Sequence, residues 1–149
     1  MIAAPRTYSE WVSVLTMLKN KTDDEEVLSA MQRGSLEWQA GVADRFTVKL
    51  VDAVNARMNT ATDKFQTDIS RSNGQEGAIV QAILQLRKEM AFLVKVMDLP
   101  VIPEKSRAEY RNLVLDQADK MQKSLEDSAR NDRTGRLASI IRNHKVNSF

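Results

Sequence analysis

The sequence predicts an all-α protein, a helical bundle of five to six helices built around one long central helix at about residues 35–69. Three observations carry that reading. Apolar residues recur at spacings of three and four through nearly the whole chain. The few breakers, five glycines and three prolines, stand where helix ends are needed. No run alternates with period two between turn signals, so strand candidates are missing.

The elements follow in order. Thr7-Tyr8-Ser9-Glu10 has the form of a capping box, and Trp11, Val12, Val14, Leu15 and Leu18 give the first helix one broad apolar face ending near Asn20. Thr22-Asp23-Asp24-Glu25 repeats that form. The acids Asp23 to Glu26 then lie in a first turn, where the helix dipole favours them, ahead of Val27, Leu28 and Met31. Gly34 is read as the stop of this short second helix.

Ser35 is read as the cap of the third helix, whose apolar set is Trp38, Val42, Phe46, Leu50, Val54, Met58, Ala61, Phe65 and Ile69. At 1.5 Å per residue such a helix is roughly 50 Å long. Ser70 to Gly74 reads as a turn, and a fourth helix from about Gln75 carries Ile79, Ile83, Leu84, Leu86, Met90, Leu93, Val94 and Met97. From Ala78 to Leu86 it is apolar on most sides, which predicts a place at the centre of the bundle for Leu84 as well as for Leu93. Asp98 to Pro103 is a linker by its two prolines. The fifth helix follows with Tyr110, Leu113, Val114, Ala118, Met121 and Leu125. Gly135 bends the chain before a short last helix, Arg136 to Asn143, with Leu137, Ile140 and Ile141 on one face.

A length of 149 residues corresponds to one domain, 1–149, able to bury a core without cross-links. No cysteine is present, which removes disulfides, thiolate metal sites and cysteine nucleophiles and agrees with a reducing, cytoplasmic setting. The first residues lack the apolar stretch of a secretory signal. No window approaches the roughly 18 apolar residues of a spanning helix.

Catalytic material is sparse, so the reading is of a non-enzymatic protein with no cofactor. His144 is the single histidine and reads as a solvated residue. The carboxylate pairs Asp23-Asp24-Glu25-Glu26, Asp116/Asp119 and Glu126/Asp127 are explained more simply as helix starts and solvated faces than as acid-base or metal sites. Asn73-Gly74-Gln75-Glu76-Gly77 opens a helix but lacks the Lys-Ser/Thr of a phosphate loop and follows a helix, not a strand. Trp11, Trp38, Phe46, Phe65 and Phe92 mostly fall on apolar faces and read as core, and the seven methionines as dispersed gap fillers.

Charge asymmetry is the one functional signal. From 129 to 149 the chain carries Arg130, Arg133, Arg136, Arg142 and Lys145 against Asp132, a net +4, on a body that sums to −2. Two uses stay open. The arginines could close the bundle by pairing with Asp23 to Glu26, or the segment could dock an anionic partner. The functional reading is an accessory, adaptor or regulatory module that binds a partner protein. The alternative is nucleic-acid binding, since arginines at 130, 133 and 136 could line one side of a helix and contact phosphates. A homodimer is also expected, because the third helix is longer than the fourth can cover. Either the first two helices or a second copy must supply the remainder.

Overall fold

The computed structural model describes residues 1–37 and 41–149. It contains six α-helices, α1 Tyr8–Lys19, α2 Asp24–Arg33, α3 Val42–Arg71, α4 Glu76–Met97, α5 Glu104–Arg130 and α6 Arg136–Asn143. Among the described residues there is no strand, and the all-α helical bundle expected from the spacing is present. The described residues form two compact units. The first comprises Met1–Arg57 with Val96–Ala108, and the second Met58–Lys95 with Glu109–Phe149.

In the first unit the capping box of α1 is complete. Thr7 Oγ1 accepts from the Glu10 N–H at 3.2 Å while the Glu10 carboxylate accepts from the Thr7 N–H at 3.2 Å. Trp11 and Phe46 meet edge to face with centroids 5.2 Å apart, so α1 covers the N-terminal half of α3. The cap of α2 is Asp23, not Thr22. Asp23 takes a left-handed φ of 49° and accepts from the Glu26 N–H, so the acid itself satisfies a free N–H of the first turn. The linker before α5 is part of the core, with Leu99, Val101 and Ile102 buried and Arg107 donating to the carbonyls of Ile102 and Pro100 at 2.9 and 3.1 Å.

The central helix starts at Val42, later than the Ser35 start that the sequence predicts. Ser35 does not cap it, because tertiary contacts use its backbone: its N–H donates to the Pro5 carbonyl at 2.9 Å and its carbonyl accepts from Trp11 Nε1 at 2.8 Å. Trp38 lies outside the described residues. From Val42 to Arg71 the helix is unbroken.

Gly34 is the C-cap that ends α2, as the sequence predicts, and it has a second role. Its φ of −77° is open to any residue, but a Cβ there would stand 2.7 Å from Cζ2 of Trp11 and 2.9 Å from the Pro5 carbonyl oxygen. The glycine is required by close approach. Gly34→Ala should therefore cost about 1–3 kcal/mol by overpacking, as read from the midpoint of chemical denaturation. An unchanged midpoint would show that Trp11 moves aside freely.

In the second unit, the buried residues Ile79, Ala82, Ile83, Leu86, Met90 and Leu93 form one stripe along α4, and Val114, Ala118, Met121, Gln122, Leu125 and Ala129 another along α5. Two sequence expectations fail here. Leu84 is 42% exposed and Leu113 is 40% exposed. At 3.6 residues per turn each stands roughly 140° around its helix from the centre of the buried stripe. An apolar side chain next to a stripe in sequence is not on it in space. Lys64 of α3 donates to Gln85 of α4 at 3.1 Å and Gln117 of α5 to Thr62 of α3 at 3.5 Å, which ties the three helices together in this unit.

Candidate functional site

The basic segment folds at the end of α5 and is anchored by residues other than its cations. Ile140, Ile141 and Val146 are buried, which seats α6 and the turn after it. A helix of eight residues is not stable alone, so these contacts hold it. Gln122 of α5 supplies the polar latch. It is only 4% exposed, its Oε1 accepts from the Val146 N–H at 2.9 Å, and its Nε2 donates to Glu126 at 3.2 Å. Asn147 adds a hydrogen bond to Asp119 at 2.9 Å.

The turn between α5 and α6 is organised by Asp132. Its carboxylate accepts from the Thr134 N–H at 3.1 Å, the Thr134 hydroxyl at 2.9 Å and the Leu137 N–H at 3.0 Å, while Gly135 takes a φ of 73° and offers no side-chain cap. The Leu137 N–H first, then the Thr134 hydroxyl and N–H, and last the Arg136 charge hold this carboxyl below its ordinary value; slight desolvation opposes them. With the folded value lowered, the stability that Asp132 lends the turn is complete above the ordinary aspartate pKa of about 3.9. It is lost as pH falls through the lowered value. In an NMR titration the Thr134 and Leu137 amide signals should move together over that acidic range and stay fixed from there to neutrality. Movement centred near neutral pH would contradict the assignment.

All five cations named by the charge asymmetry are exposed. Arg130 pairs with Asp127 at 3.4 Å. The side chains of Arg133, Arg136, Arg142 and Lys145 have no hydrogen-bond or ion-pair partner among the described residues. The expected row of arginines along one helix is not formed. Arg130 ends α5, Arg133 lies in the turn and Arg136 opens α6, so the spacing of three crosses a break in the helix. Three of the four acids of the self-sealing reading, all but Glu25, have partners within the first unit. Asp24 pairs with Arg57, Asp23 caps α2, and Glu26 accepts from the Ile2 N–H at 3.0 Å. His144 is half-buried and its Nδ1 lies 3.4 Å from the Ile140 carbonyl oxygen, so it belongs to the end of α6 more than to solvent.

Two polar residues that the sequence reading did not single out are central to the structure. Arg57 is 3% exposed and makes a two-pronged contact with Asp24, at 2.8 and 2.9 Å, besides donating to the Leu18 carbonyl at 3.3 Å. Gln122 is the other. Each sits on an apolar stripe, Arg57 between Val54 and Met58 and Gln122 between Ala118 and Leu125, and a polar residue inside such a stripe is the signal that could have found them.

Elsewhere in the second unit a depression of about 320 Å³ lies between α3 and α4, where Lys64 is engaged by Asp68 at 2.7 Å and by Gln85. Its one hydroxyl, Ser72, donates to the Ile69 carbonyl at 2.6 Å. Among the described residues no group of three or more His, Asp or Glu could hold a metal ion, and no helix is long and apolar enough to cross a membrane. The chain matches no protein-family model, no curated protein and no solved structure.

Proposed function

We propose that the protein is a non-enzymatic interaction module, a small cytoplasmic accessory, adaptor or regulatory protein that docks a partner protein on the segment bearing Arg130, Arg133, Arg136, Arg142 and Lys145. One observation supports this above the others: the segment is held by Ile140, Ile141, Val146 and Gln122, while its cations stand in solvent. Anchoring and charge are divided between different residues. Apart from the Arg130–Asp127 pair and the pull of Arg136 on Asp132, this charge cluster does not hold its own element and can meet an anionic surface. Nucleic acid remains the second reading, supported by the preference of arginine for phosphate. Self-association belongs to the proposal too, with light scattering at high protein concentration as its check.

The experiment is partner capture from the native host. With Arg133, Arg136 and Arg142 all replaced by Gln, capture should be lost while stability stays within about 0.5 kcal/mol, because exposed charges contribute little to folding. A gel shift with generic DNA and RNA across a salt series separates the second reading, since phosphate-driven binding falls steeply with ionic strength. Lower stability with unchanged capture would refute the docking role.

A further inference from the structure

We infer that the basic segment takes a short acidic peptide of its partner, reading carboxylates and not a nucleic-acid backbone; the inference rests on the docking role proposed above. The cations do not form a straight stripe. They turn a corner, from the end of α5 through the Asp132–Gly135 turn to both ends of α6 and on to Lys145. A polyanion that runs on from the start of the corner along the same helix continues beside α5. There the exposed Asp116, Asp119, Glu126 and Asp127 outweigh Lys120 and Lys123, leaving a net −2 over 116–127. A nucleic-acid strand carries regular charge in both directions and meets that repulsion, whereas a short acidic peptide confined to the corner does not. Four of the five cations are arginines, whose planar fork matches a carboxylate with two parallel hydrogen bonds. The corner is also folded beforehand, by the Asp132 carboxylate at one end and by the Gln122 latch at the other. Little ordering is left to oppose binding.

Fluorescence anisotropy with the full chain tests this using a labelled short peptide rich in Glu and Asp, its Gln and Asn counterpart, and single- and double-stranded DNA oligomers of similar length, at about 0.15 M salt. Only the acidic peptide should bind, and R133Q/R136Q/R142Q should weaken it at least about tenfold. Gln122→Met keeps every cation but removes the acceptor of the Val146 N–H, so it should also weaken the peptide. DNA binding as tight as that of the acidic peptide overturns the inference, as does a Gln122→Met protein that binds like the parent. If no probe binds, the acidic peptide is refuted on its own. Arginine-dependent capture of a host protein would then still uphold the docking role.

Discussion

Replacing Asp24 by alanine is expected to destabilise the protein by about 3 kcal/mol, the lower end of what loss of one partner of a buried pair costs. The lower end applies because Asp24 keeps 27% of its side-chain surface in water, whereas Arg57 keeps 3%. The loss comes less from the vanished attraction than from the guanidinium left behind in the core without its carboxylate. An asymmetry follows. Arg57→Met combined with Asp24→Leu removes both charges and retains much of the packing volume, so it should cost far less than Asp24→Ala alone. Chemical denaturation of the two variants decides the matter. Equal losses would mean that the pair acts through its attraction.

The second large effect separates two leucines of α4. Leu93 is fully buried, and Leu93→Ala should cost about 2–5 kcal/mol through lost burial and the cavity left behind. Leu84→Ala should cost about 1 kcal/mol or less, because Leu84 keeps 42% of its surface in water. Similar losses at both positions would place Leu84 on a face that is covered in solution.

Those two leucines also mark how far the sequence could be read. The α6 bounds, Arg136 to Asn143, were legible because Gly135 precedes a strongly two-sided segment, and the α1 cap was legible because both halves of its box are local. The start of α3 was not. Ser35 has the chemistry of a cap, and only the folded chain shows its backbone already bound to Pro5 and Trp11. Leu84 was misplaced because apolar composition has no direction until a neighbouring helix chooses the buried side. At the candidate site the five cations could be counted from the sequence, but their arrangement could not. A spacing of three means one helix face only if the helix continues, and it stops after Arg130. Asp24, which pairs with Arg57, and Val146, which Gln122 latches, lie 33 and 24 residues away, beyond any local pattern.

The Gln122 latch has a consequence for how this surface can change. It grips the main-chain N–H at position 146, and every non-proline residue has one, so the latch does not depend on which side chain occupies that position. Proline is the exception. Substitutions among the exposed positions of the segment can therefore accumulate without unseating α6. The chemistry of this surface is thus able to drift, or to be redesigned, while the scaffold underneath stays the same.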